Sequence, residues 1–139
     1  MVKTEYFYGA EAGNYTFYCL PSPLFTDEKL KDISDGAKIL YSMMLSRVSL
    51  SEKNHWKDDQ GRIYIIFTIE KIMEKVGCSK VKAVKMLAEL DSKEGVGLIE
   101  RIRRGHMQPD IIYVKKILSE DRSCIDEIFE PESSFEMTG

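Results

Sequence analysis

Two clusters of cationic side chains stand out by type and spacing: Lys80, Lys82 and Lys85 directly after Ser79, and Arg101, Arg103, Arg104 and His106 further along the chain. Serine is a favoured helix cap, and at a helix start the free backbone N–H groups, the helix dipole and nearby lysines together attract phosphate oxygens. If that helix enters the major groove of duplex DNA, Ser79 and Lys80 anchor phosphate, Lys82 and Lys85 reach phosphates or guanine edges, and Val81 meets a thymine methyl. The competing reading is that outward lysines on a helix are merely solvated. The arginines tip the balance. They lead into a turn holding His106 and Gln108, where a hairpin tip offers guanidinium groups to a flanking backbone or minor groove. Alternation puts Arg101 and Arg103 on one face and Ile102 with Arg104 on the other, so one of the three arginines can instead pair with Glu100 or the acidic C-terminal segment. Arg103 and Arg104 are the expected contacts.

Other chemistry finds little support. His55 and His106 are far apart and no HExxH occurs, while Cys19, Cys78 and Cys124 are odd in number and widely separated. That pattern offers neither a zinc half-site nor a disulfide framework, so free thiols are expected. Gly77-Cys78-Ser79 is not a nucleophile elbow, and Gly95-Val96-Gly97 lacks the strand-to-helix setting of a phosphate loop. Asp58-Asp59 beside Gln60-Gly61 reads as a solvated turn rather than a carboxylate pair. No enzyme, metal or cofactor function is expected.

Those side chains must be held by a fold, and the composition allows one. With 43% hydrophobic and 31% charged residues over 139 positions, the chain has the make-up of a globular domain with one core. The longest apolar run, 63–67, is too short for a membrane span and no basic-then-apolar leader opens the sequence, so a cytoplasmic location without membrane association is expected. The net charge of −3 speaks against nucleic acid only until it is resolved along the chain: residues 1–70 balance to −2, 71–116 to +5 and 117–139 to −6. A basic block can present a positive face, because charges act strongly only within about 10 Å at ordinary salt.

Residues 1–14 read as a flexible N-terminal arm, and 15–20 as a short aromatic extended segment ended by Pro21 and Pro23. Thr26 is expected to cap a helical piece over 27–32. Ser34 and Asp35 open a longer helix, placed at about 35–48 by the stripe Ala37, Leu40, Tyr41, Met44, Leu45 and Val48. The β-branched and aromatic run 63–67 predicts a strand, after which Thr68 caps a two-turn helix stopped by Gly77 in a left-handed conformation. Ser79 caps the next helix, with Ala83, Val84, Leu87, Leu90 and Asp91 on its inner side and Lys82, Lys85, Met86 and Glu89 outside. Two strands around Gly105 and Pro109 then make a hairpin. The order helix, strand, helix, turn, helix, hairpin predicts an α+β winged helix-turn-helix, with 35–116 as its core module within a 15–116 DNA-binding domain. Residues 117–139 read as an acidic tail or the start of a linker, with a short helix near 120–129.

The blocks FYCLPSPLF (17–25), AKILYSMMLSRVSLSEKNHW (37–56), DQGRIYIIFTIEKIMEKVGCSKVKAVKMLAEL (59–90) and VGLIERIRRGHMQPDIIYVKK (96–116) resemble, in this order, the N-terminal domain of the replication initiator protein A family of Gram-positive plasmids and mobile elements. The wing tip here, Gly105-His106-Met107-Gln108-Pro109, departs from that family's Gly-x-Gly-Lys-Pro-like pattern, and Ser22 stands where the family has a basic residue. The resemblance implies a winged-helix domain that binds repeated double-stranded origin sites, commonly as a homodimer. It also implies that host replication proteins are reached only through a C-terminal region absent from these 139 residues. Lys53, Asn54 and Arg62 are expected to add backbone contacts. For dimerisation, an exposed edge strand with Tyr15, Phe17 and Tyr18 is the favoured surface, against the alternative that the segment completes its own core.

Two rival functions keep the same fold. A transcriptional regulator or autorepressor would differ only in where its sites lie. A winged-helix protein-interaction module without nucleic-acid binding would show an apolar patch on the third helix, which the lysines there disfavour.

Overall fold

The computed structural model describes residues 2–9 and 17–118 of the chain. Helix α1, Pro23–Thr26, starts on a proline whose fixed φ suits a first helical turn. It ends where Asp27 turns extended and accepts the Lys29 N–H at 2.8 Å. The helical piece expected over 27–32 therefore lies one step earlier: Pro23 begins a helix instead of ending an extended segment, and Thr26 is its last residue. Helix α2, Asp35–Lys53, runs past the expected end near 48. Ser34 Oγ accepts from the Ala37 N–H at 3.1 Å, and Glu89 takes both the Ser34 N–H and its hydroxyl at 2.7 Å, which fastens this cap to a later helix.

Helix α3, Ile69–Ile72, is capped by Thr68, whose hydroxyl accepts the Lys71 N–H, and it runs into a π-helical turn over Met73–Gly77. Gly77, at φ +77°, takes the left-handed conformation that lets the chain reverse. Helix α4, Lys80–Leu90, follows with Ser79 Oγ accepting the Lys82 N–H at 3.2 Å. Strands β1, Ile99–Ile102, and β2, Ile111–Val114, pair antiparallel with Ile99 opposite Val114 and Ile102 opposite Ile111.

The expected strand over 63–67 is reduced to isolated bridges, and only Ile65 meets the hairpin, at Ile112, with N–H···O distances of 2.8 and 2.9 Å. The preceding chain is committed elsewhere: Ile63 bridges back to Lys57, the Tyr64 N–H bonds the Trp56 carbonyl, and Asp58 closes the turn by accepting from Gln60 and Arg62. The ladder has no room to lengthen. Helix-turn-helix, hairpin and this bridging residue together form an α+β winged helix.

Its core gathers Leu40, Tyr41 and Met44 of α2, Ile65, Ile72 of α3 and Leu90 of α4, all close to fully buried. Tyr41 donates to the Lys115 carbonyl at 2.6 Å, tying α2 to the chain leaving β2, and burial pushes its hydroxyl pKa up to about 12. Among the described residues no helix is long and apolar enough to cross a membrane. Cys78 is a free thiol and Cys19 is disulfide-bonded, which corrects the expectation of free thiols: distance along the sequence does not stop cysteines meeting in a fold. Phe17 and Tyr18 are exposed and form no strand, whereas Tyr15, Cys124 and the helix expected near 120–129 lie outside the described residues.

Candidate nucleic-acid interface

Helix α4 turns a different face outward from the one its lysines suggest. Ala83, Met86, Leu87 and Leu90 are buried, at the i, i+3, i+4, i+7 positions of one stripe. Met86, expected outside, is 1% exposed, and Val84, expected inside, is 43% exposed. Wound at about 100° per residue, Val81, Lys85 and Ala88 therefore follow the middle of the open side. Lys82 and Glu89 flank it toward the start of α2. There Glu89 holds Ser34, and a Cβ added to Gly36 would fall 2.6 Å from Met86 Sδ and 3.6 Å from Lys82 Cε. Lys80 and Val84 flank the other side. Lys80, Lys82 and Lys85 are exposed and form no ion pair with a described residue.

The wing treats its basic residues unequally. Arg101 is already engaged within the domain: its Nε lies 3.1 Å from Asp91 Oδ1, and Asp91 is buried at the junction between α4 and β1. Burial pushes the Asp91 carboxyl up, but the Arg101 guanidinium and the Lys93 N–H hold it below the usual carboxylate range. Arg104 Nε donates to the Pro109 carbonyl at 3.2 Å, bracing the loop across its base. Arg103 and His106 are exposed, and Arg103 has no ion-pair partner among the described residues. Gly105 at φ +106° and Met107 at φ +67° shape the tip, where Met107 is 94% exposed.

Helix and wing meet at one cleft. Lys80 and Leu87 of α4, Thr68 at the start of α3, Arg101 of β1 and Gln108 and Pro109 of the wing all line it, with Glu70 and Asp110 on its walls. The remaining expected contacts lie elsewhere. Arg62 pairs with Asp58 at 2.7 Å and stacks its guanidinium 4.7 Å from the Tyr113 ring, beside a second cleft lined by Leu45, Val48 and Lys115. Asp58 is opposed by burial, yet the Arg62, Tyr113 and Gln60 hydrogen bonds lower its pKa to about 2. Lys53 and Asn54 are exposed at the far end of α2. At about 1.5 Å per residue they stand roughly 25 Å along the helix from Gly36. Thr68 and Val84 escaped the sequence reasoning. The surplus of valines over core seats on α4 was the signal for Val84, and Thr68 showed only as a cap.

The family model described as replication initiator protein A (RepA) N-terminus matches residues 16–127, most of the chain. The chain belongs to this family. Solved structures are similar to this RepA-family chain over nearly its whole length. One described as the N-terminal domain of a DNA binding protein is 35% identical, covering 97% of this chain and 100% of that one, with a TM-score of 0.70. A Rep–DNA complex matches at 35% identity and a TM-score of 0.70, over 96% of this chain and 100% of that one. An MDR initiator matches at 33% identity and a TM-score of 0.66, over 89% of this chain and 95% of that one. No curated protein matches the chain.

Proposed function

We propose that this RepA-family domain binds double-stranded DNA, in the repeats of a plasmid-type replication origin, with α4 in the major groove and the wing along its flank. The observation that carries this reading is the shared cleft: Lys80 from α4 and Gln108 from the wing face it together, while Lys80, Lys82 and Lys85 are exposed and form no ion pair with a described residue. The Rep–DNA complex among the similar structures supports it. Ser79 and Lys80 sit at phosphate, Lys82 and Lys85 clamp the groove around Val81, and Arg103, Arg104 and His106 follow the flanking backbone. Arg62, Lys53 and Asn54 contribute little, since the first is paired internally and the others lie at the far end of α2.

In this reading residues 15–116 form the DNA-binding domain, 1–14 an arm and 117–139 a tail or linker. The protein acts in the cytoplasm without catalysis, as a homodimer through Tyr15, Phe17 and Tyr18, and engages host replication proteins through regions outside this domain. The protein-interaction alternative asks for an apolar patch on α4. Val81 and Val84 do form one, but three lysines with no ion-pair partner among the described residues border it, an arrangement suited to a polyanion.

A fluorescence anisotropy titration of the full chain against origin-repeat and scrambled duplexes tests the proposal. Neutralising about five phosphates per protomer gives a log K against log salt slope of roughly −4 to −5, with tighter binding to the repeat. Weak, equal and salt-insensitive signals on both duplexes would overturn it.

A further inference from the structure

The open side of α4 is laid out in lanes. Lys80 on one flank and Lys82 on the other bracket a central line of Val81, Lys85 and Ala88, with Val84 between that line and the wing. Val81 is 79% exposed and Val84 43%, an unusual placing for β-branched residues on a helix whose core stripe is already filled. The helix sequence KVKAVKMLAEL contains no Asn, Gln or Arg, so it has no amide for bidentate contact with adenine and no guanidinium fork for guanine. What the centre of the face offers to base edges is branched methyl groups and one ammonium. The methyl-bearing edge in the major groove is that of thymine.

We propose that Val81 and Val84 form a thymine-reading site, selecting duplexes that place thymine C5-methyl groups beneath the first two turns of α4 while the flanking lysines hold the phosphates. This rests on the DNA-binding reading and deepens it by naming what the helix reads. Val81 is the second residue of α4 and Val84 the fifth, within the N-terminal part of a recognition helix that approaches base edges. A methyl contact excludes water from two apolar surfaces without requiring a hydrogen bond, so it tells thymine from uracil, which differ only in that methyl.

The test is selection of tight-binding duplexes from a random library with the full chain. The winning site is then resynthesised with deoxyuridine replacing each thymidine in turn. Thymines are expected at the positions under α4, and removing a contacted methyl should weaken binding about threefold to fivefold. The Val81→Ala, Val84→Ala double variant should bind thymine and uracil duplexes alike and keep the wild-type salt slope. Lys85→Ala should weaken both duplexes equally and leave the thymine-to-uracil ratio unchanged. Salt-dependent, sequence-selective binding that is blind to uracil at every position, or a selected site without thymine under the helix, overturns the thymine site and leaves the DNA-binding reading standing. Failure to bind any duplex overturns both.

Discussion

Replacing Arg101 and replacing Arg103 with alanine should have opposite consequences, although the two residues are neighbours of the same type on the same strand and its exit. Arg101 Nε sits 3.1 Å from Asp91 Oδ1, and the Asp91 side chain is only 7% exposed against 29% for Arg101. Arg101→Ala strips the strongest partner from a buried carboxylate, a loss of about 1–3 kcal/mol, toward the lower half because solvent screens the guanidinium. For a domain near one hundred residues each kcal/mol moves Tm by about 4–8 °C, so a fall of roughly 5–15 °C is expected. The Asp91 carboxyl is held below its ordinary range, so its contribution is present above the unfolded carboxyl pKa and is lost as pH falls through the folded one. The deficit of Arg101→Ala should therefore be largest near neutrality and shrink below about pH 4. Arg103→Ala, at an exposed position with no ion-pair partner among the described residues, should change stability by less than about 0.5 kcal/mol and instead weaken DNA binding, lowering the salt slope by about one. Thermal melts at neutral and acid pH, beside anisotropy titrations, read both effects. Wild-type stability in Arg101→Ala, or a destabilised Arg103→Ala, would refute the assignment of one arginine to architecture and the other to the ligand.

Tyr41→Phe removes the 2.6 Å bond to the Lys115 carbonyl and should cost about 1 kcal/mol by urea denaturation at neutral pH. Because Tyr41 is raised to about 12, its stabilising effect is complete below pH about 10 and lost as pH rises toward 12, and the variant should lack that part of the alkaline transition. Met86→Ala should cost about 2–5 kcal/mol, whereas Val84→Ala should leave Tm nearly unchanged, a contrast read directly from melts. Glu89→Ala and Ser34→Ala should each cost about 1 kcal/mol, and the double variant should cost clearly less than their sum, since both remove the same cap linkage.

The helices were legible because their starts are written in side chains: Ser34, Thr68 and Ser79 each accept the N–H three residues on. The strand at 63–67 was not, since its composition is that of a strand but its hydrogen bonds are taken by the turn before it. On α4 the sequence offers more apolar residues than the core has seats. Assigning Val84 inward and Met86 outward satisfies composition as well as the true arrangement does, and only the i, i+3, i+4, i+7 stripe from Ala83 to Leu90 decides it. The pattern failed where apolar side chains are left in solvent, which is where a recognition surface departs from the rules of a core.

The basic residues carry a similar lesson. Arg62, Arg101 and Arg104 are three of the chain's most prominent cations, and each is held by an acceptor of its own domain: Asp58, Asp91 and the Pro109 carbonyl. The lysines of α4 have no such partner among the described residues. A planar guanidinium donates in fixed directions and suits a fixed internal acceptor, while a flexible ammonium remains hydrated and mobile over a surface. The wing is therefore stiffened by its arginines before it can touch anything, and the charge offered outward comes chiefly from Lys80, Lys82, Lys85 and Arg103. A basic cluster in a sequence thus names a ligand only after the carboxylates and carbonyls within reach of each cation have been found, and here those acceptors lie at positions such as Asp91 that spacing alone does not connect to the wing.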